Sequence, residues 1–270
     1  MKKRCFNDRS SLAERDPVCT VRILHHCNFR CPACSTFSGP NGRGMISLRD
    51  FCSAVDILSA EGFKGQLNIS GGETTLHHQL DAMLAYSAER LGQARICVFT
   101  NGHWIGLPGW RDRLRSFLSG PNVVVRFSLD RQHAEGEVRA RYNEWNEDQV
   151  RSSEAARMEK AQSFLQACLE MNAKPGINFD FAFKGSLEEG RAYTSPLGEA
   201  PLYLITFRPF PAKRSKEPGF FAIDIDAENR PKVYPTLGHI SAHEPLGGLE
   251  TLAMALEMNR KALRKDNDHE

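Results

Sequence analysis

Short apolar runs alternate with stretches of helical period along most of this chain. Val18–Leu24, Gln66–Ser70, Arg95–Phe99, Asn122–Leu129, Ile177–Phe183 and Tyr203–Phe207 each combine β-branched or aromatic residues over strand length and read as strands. Between them lie helical stripes. Ser47-x-x-Asp50 marks a helix start, with Leu48, Phe51, Cys52, Val55 and Leu58 on one face. Leu80, Met83, Leu84 and Leu91 form a second stripe, a short helix follows near 110–118, and Met158, Ala161, Leu165, Cys168 and Leu169 form a longer inward face. The charged segment 131–150 leads into that last helix. Strands alternating with helices predict parallel βα units wound right-handed, an α/β architecture.

The rhythm changes after residue 210. Phe220–Asp226, Asn229-Arg230 and Pro231–Pro235 read as a hairpin, and a closing helix is expected from about Leu249. The expected organisation is an N-terminal extension over 1–17, a main unit over 18–210 and a C-terminal extension over 211–270.

Composition narrows the function. At 270 residues the chain can bury one sizeable core. A formal net charge of +2 and no single-sign block argue against a nucleic-acid partner. No run approaches the roughly 18 apolar residues of a membrane span, so no membrane association is expected. Eight cysteines with no export signal point to a reducing cytoplasm. Five of them (Cys5, Cys19, Cys52, Cys97, Cys168) share no ligand spacing and are expected to pack in the core.

The other three carry the chemistry. Cys27, Cys31 and Cys34 follow the first strand in His26-Cys-Asn-Phe-Arg-Cys-Pro-Ala-Cys-Ser35, a C-x3-C-x2-C spacing. Soft thiolates select iron–sulfur clusters or zinc. Structural zinc wants a fourth ligand at suitable spacing, and none follows. Three thiolates can instead hold three irons of a 4Fe–4S cube and leave the fourth open to a ligand. The second strand ends in Gly71-Gly72-Glu73, the third in Thr100-Asn101-Gly102, and the fourth in Ser128-Leu-Asp130, with His133 close behind. In parallel α/β barrels the chemistry collects at these strand ends.

The cysteine triplet and Gly-Gly-Glu, in that order and each after a strand, resemble the radical S-adenosylmethionine (radical SAM) superfamily. The resemblance covers residues 18–210 and implies a partial (β/α)6 TIM-like barrel with a small C-terminal hairpin-plus-helix extension. It implies one 4Fe–4S cluster on Cys27, Cys31 and Cys34, whose open iron takes the amino and carboxylate groups of SAM. Reductive cleavage of SAM then yields a 5′-deoxyadenosyl radical, with an external donor such as flavodoxin or ferredoxin supplying the electron. Gly71, Gly72 and Glu73 are expected near the SAM ammonium, and Thr100, Asn101, Ser128 and Asp130 at its ribose or methionine part. Asp130 and His133 are the candidate catalytic residues.

Two departures stand out: the aromatic residue that usually precedes the third cysteine is Ala33, and the proline after Gly-Gly-Glu is Thr74. Val233-Tyr-Pro-Thr236 resembles the start of an auxiliary-cluster (SPASM/twitch-like) segment with threonine in the cysteine's place. With no cysteine beyond Cys168, no auxiliary cluster is expected. Asn28 and Arg30 are candidate supports of the cysteine loop. Asp180 and Arg208 are expected to face the barrel mouth, and Lys213, Arg214 and Lys216 to form a basic loop. A small polar metabolite is the favoured substrate and a peptide the alternative. A non-catalytic iron–sulfur or zinc protein is the third reading.

Overall fold

The structure is a computed structural model that describes residues 17–184, 187–198, 201–205, 220–234 and 244–267. One eight-stranded sheet, in the order β6-β5-β4-β3-β2-β1-β7-β8, organises it. Its strands are β1 (Val18–Arg22), β2 (Gln66–Ser70), β3 (Arg95–Thr100), β4 (Val123–Ser128), β5 (Phe179–Lys184), β6 (Leu202–Ile205), β7 (Phe220–Ile225) and β8 (Pro231–Tyr234). Strands β1 to β6 run parallel, each beside its successor, and make the open, partial barrel. The hairpin is part of the same sheet. Its first strand, β7, pairs parallel with β1 (Val18 opposite Phe220, Val21 opposite Ile223), and β8 returns antiparallel.

Helices α1 (Leu48–Ala60), α2 (Leu80–Arg90), α3 (Trp110–Phe117), α4 (Arg131–Arg141), α5 (Glu147–Glu170), α6 (Leu187–Tyr193) and α7 (Leu252–Asn267) complete the fold. The Ser47 hydroxyl caps α1 by accepting from Asp50 N at 3.0 Å, and Phe51, Ala54, Val55 and Leu58 are its buried stripe. A reciprocal box between Asn146 and Gln149 starts α5.

Two expectations about helices change. Segment 131–141 is itself a helix, α4, capped by the Asp130 side chain. On α5 the buried face is Val150, Arg157, Ala161, Phe164, Ala167 and Cys168, while Leu169 is exposed. The interior of this protein takes an arginine there, and hydropathy alone turns the face by about one residue.

Phe127, Phe164, Phe179 and Phe181 fill the core between sheet and α5, with ring centroids 5.8 to 6.0 Å apart. At the N-terminal end of the strands the core is polar. Asp180 does not face the barrel mouth: it is the second residue of β5. There it accepts from Arg126 Nε at 2.7 Å and Nη2 at 2.8 Å, with Arg95 at 3.5 Å. A carboxylate at the bottom of a strand beside a buried guanidinium is a structural ion pair. Among the described residues no helix is long and apolar enough to cross a membrane.

Candidate active site

The cysteine loop leaves β1 and is laced to its neighbours through backbone. Cys27 N donates to Gly39 O and His25 N to Gly44 O, both at 3.0 Å, so segment 39–46 returns alongside the loop. From the other side Gly72 N donates to Leu24 O at 2.7 Å and Glu73 N to His26 O at 3.0 Å. The two glycines follow from this closeness. A Cβ on Gly72 would lie 1.8 Å from His26 O, and Gly71, at φ +134°, has Leu24 O 2.3 Å from where a Cβ would be. The absence of side chains at these two positions lets the turn approach the cysteine loop's own backbone. Thr36 Oγ1 donates to Gly71 O at 2.9 Å, tying the loop's exit to the same turn.

Cys27, Cys31 and Cys34 line one cavity of about 320 Å³ at the C-terminal ends of the strands, together with Gly71, Gly72, Glu73, Thr100, Asn101, Ser128, Asp130 and His133. The residues expected to hold cluster and cofactor, with the candidate catalytic pair, are thus brought to one place. Burial, with neighbouring acidic groups adding to it, pushes the Cys27 and Cys31 thiols up to about 12; Glu73 and Cys34 act on Cys27, and Cys27, Cys34 and Asp130 on Cys31. Thiols so placed ionise against a bound cation, and three of them suit a soft, positively charged group. The donor set fits an iron–sulfur cluster. Among the described residues no three His, Cys, Asp or Glu side chains form a group that could hold a single metal ion.

Glu73 is buried and fully engaged. Its Oε1 accepts from Thr75 N (3.1 Å), Thr75 Oγ1 (2.5 Å) and Thr100 Oγ1 (2.7 Å), and its Oε2 from Asn101 N (2.6 Å). The carboxylate welds the end of β3 to the Gly-Gly-Glu turn. Thr74, in the place of the expected proline, donates to Phe99 O at 2.5 Å and strengthens that weld. Thr100 Oγ1 also accepts from Gly102 N and Trp104 Nε1, each at 3.0 Å. Asn101 Nδ2 donates to Asn28 Oδ1 at 2.9 Å and lies 3.9 Å from Cys27 Sγ. Asn28 therefore supports the loop through Asn101. Arg30 is exposed, and its backbone N–H donates to Gly136 O at 2.9 Å.

At the end of β4 the pattern differs. Asp130 Oδ1 accepts from His133 N at 3.0 Å and sits 2.8 Å from His133 Nδ1. Its Oδ2 is buried with no hydrogen-bond partner among the described residues. Burial opposes ionisation, but His133 holds the carboxyl below the ordinary aspartate value. Ser128 lines the cavity through a strand position that is nearly buried.

Hydropathy and spacing did not single out four residues that complete the site. Arg157, fully buried on α5, donates to Asn101 O at 2.9 Å and to Ser128 O at 2.5 Å, joining the ends of β3 and β4. Lys184, the last residue of β5, donates to Ala33 O at 2.6 Å; burial holds it below the ordinary lysine range. Gly136 on α4 faces Cys31, whose Sγ lies 2.5 Å from where a Cβ would be. Thr36 is the fourth. An apolar-strand search could have found Lys184 as the polar residue ending β5. Arg208, Lys213, Arg214, Lys216, Thr236 and Cys5 lie outside the described residues.

Comparison with known proteins agrees with this geometry. Residues 21–180 match the family model described as the radical SAM superfamily. The antilisterial bacteriocin subtilosin biosynthesis protein AlbA of Bacillus subtilis (strain 168) is 30% identical over 116 residues, which are 43% of this chain and 25% of that protein. GTP 3′,8-cyclase of Stenotrophomonas maltophilia (strain K279a) is 28% identical over 120 residues, 43% of this chain and 35% of that protein. The chain thus spans about a quarter to a third of these relatives. In fold it is similar to Streptococcus suis SuiB bound to S-adenosylmethionine, with a TM-score of 0.50 and 13% identity over 87% of this chain and 64% of that one. The chain belongs to the radical SAM superfamily, whose cofactors are a 4Fe–4S cluster and S-adenosylmethionine.

Proposed function

We propose that this enzyme abstracts hydrogen from a small polar metabolite, a nucleotide, sugar or amino-acid derivative. The observation that carries the reading is the buried Oδ2 of Asp130, which lines the cavity and finds no partner among the described residues. A buried carboxylate oxygen accepts a hydrogen bond at little cost only when a donor arrives with the ligand. Hydroxyl and amino groups of a polar metabolite are such donors. Gln132, His133 and Lys184 line the same wall and add polar contacts.

When bound, the cluster and S-adenosylmethionine together supply hydrogen-atom abstraction from carbon. In this proposal Cys27, Cys31 and Cys34 are the metal ligands. Gly71 and Gly72 present backbone to the SAM ammonium, while Glu73 holds that turn in place through its four protein donors. Thr100, Asn101 and Ser128 face the rest of the cofactor. Asp130 orients His133 through Nδ1, which leaves Nε2 as the nitrogen that can exchange a proton with substrate. Residues 18–210 are the catalytic unit and 211–270 its extension, from which β7 and β8 join the sheet. The electron comes from an external donor such as flavodoxin or ferredoxin, in a reducing cytoplasm.

A second reading, a peptide substrate, is favoured by the likeness to a bacteriocin biosynthesis protein. The test is anaerobic reconstitution followed by SAM and dithionite. A brown protein with about four irons, absorbing near about 400 nm and forming 5′-deoxyadenosine, supports the class. A colourless protein with stoichiometric zinc overturns it. Deuterium transfer from labelled nucleotides, sugars or amino acids into 5′-deoxyadenosine supports the metabolite reading. Transfer from a precursor peptide encoded nearby, and from none of those, supports the second.

A further inference from the structure

We infer that the C-terminal hairpin is a working part of the cysteine loop and that Asp224, on β7, is its positioning residue. Asp224 is buried, and its two oxygens meet two side chains at the entry of the loop. Oδ2 accepts from Arg22 Nη1 at 3.0 Å, at the end of β1 where the loop begins. Oδ1 lies 2.8 Å from His25 Nε2, two residues before Cys27, and also accepts from Ile225 N at 2.9 Å. Arg22 then reaches across the loop, donating from Nη2 to Ser35 O at 3.3 Å, just past Cys34. One carboxylate therefore ties together the entry and the exit of the segment that carries all three cysteines.

The hairpin makes a second, separate contact. In the β7–β8 turn Asp226 Oδ1 accepts from Glu228 N and Arg230 N, and Asn229 adopts φ +61°. That left-handed residue turns its amide toward the loop, and Asn229 Oδ1 accepts from Met45 N at 3.0 Å. Met45 belongs to the returning segment whose Gly39 and Gly44 carbonyls hold Cys27 and His25. Entry and return of the loop are thus fixed directly from residues more than 180 positions downstream, and its exit through Arg22, which Asp224 holds. This placement rests on the reading that Cys27, Cys31 and Cys34 hold the cluster.

The test uses the full chain with Asp224→Ala and Asn229→Ala. Glu228→Ala, exposed on the same turn, and Leu114→Ala, in the core of distant α3, are controls. The first readout needs no cluster: alkylation of Cys27, Cys31 and Cys34 in the apo chain by iodoacetamide, followed by mass spectrometry. Loss of a charged, buried contact should speed alkylation of these three about tenfold in Asp224→Ala, with Cys97 and Cys168 unchanged. Asn229→Ala should show a few-fold effect in the same direction with a small fall in urea midpoint, since alanine is strained at this left-handed position. The second readout is the lifetime of the reconstituted cluster against chelator, which should shorten in the same order. Alkylation rates equal to wild type overturn the proposal. So do rates that rise in Leu114→Ala as much as in Asp224→Ala at matched loss of stability. A wild-type chain that takes up no iron–sulfur cluster defeats the functional reading alone, because alkylation still decides the positioning role.

Discussion

Two buried aspartates, Asp180 at the bottom of the barrel and Asp130 at the top, show how one sheet separates structure from chemistry. Asp180 has both oxygens occupied, gripped in two places by Arg126 with Arg95 beside it, and the Arg126 guanidinium lies 5.0 Å over the Phe99 ring. Asp130 has one oxygen doubly used by His133 and the other unpaired. A low-dielectric interior makes both arrangements consequential. The Asp180 carboxylate, with both oxygens engaged, ties β4 to β5. The second oxygen of Asp130 meets no donor among the described residues, and in the proposed function the substrate supplies one. Glu73 resembles Asp180 more than Asp130, although it sits at the chemical end, because four protein donors fill it.

The largest effect should separate the two ends completely. Cys31→Ala, like Cys27→Ala or Cys34→Ala, is expected to abolish cluster assembly, since two thiolates cannot hold the cube. The bottom of the barrel should not register the change, so the urea midpoint of the apo chain should stay near wild type. Iron and sulfide analysis beside a denaturation curve checks both halves. Asp180→Ala should do the reverse. It strands a guanidinium that is 1% exposed, and breaking such a pair costs about 3–5 kcal/mol of stability. Adding Arg126→Met should restore much of that loss, because the cost is the unpaired charge. Chains that remain folded should still load iron. If the double variant is no more stable than the single, the network does more than neutralise charge.

Much of this was legible in the chain. Six apolar runs gave six parallel strands, and the motifs at their ends converge on one cavity, since parallel βα units place all strand C-termini on one side. The misreadings have local causes. Asp180 was expected at the mouth from the alternation along its strand, yet its position near the strand's start puts it at the opposite end. The α5 face turned because Arg157 is charged, and the 131–141 helix was missed because its stretch is mostly polar. What pairs with a buried charge, 54 residues away for Arg126 and Asp180, is not written in local periodicity. The hairpin was legible as a hairpin, but its union with β1 was not.

At the open end a smaller and more selective effect is expected. Asp130 caps α4 as well as facing the cavity, so Asp130→Ala should cost about 1 kcal/mol through the lost cap. Asp130→Asn retains a capping side chain and should keep stability near wild type. If the unpaired oxygen serves substrate, Asp130→Asn should still load iron and cleave SAM without substrate, while product formation falls. A parallel loss of SAM binding would move Asp130 to the cofactor's side. Equal loss of melting temperature in both variants, with all activities falling together, would leave it a cap only.

The smallest effect concerns the buried His77, which joins the turn after Gly-Gly-Glu to the returning segment. Its Nε2 lies 3.0 Å from Ile46 O, and Gln79 N donates to Nδ1 at 3.1 Å, so the ring is neutral with its proton on Nε2. Burial holds its pKa below the ordinary 6.5, with the stacked His78 lowering it further and the Ile46 hydrogen bond opposing. The sign follows from linkage. The unfolded chain binds a proton more readily than the fold, so stability is complete above about pH 6.5 and falls as pH drops toward the folded value. His103 is lowered by burial too and contributes in the same direction. Melting temperature measured from pH 7.5 downward should therefore decline in the wild type, less steeply in His77→Gln, and least when His103 is also replaced. Parallel curves for wild type and His77→Gln would remove His77 from the account.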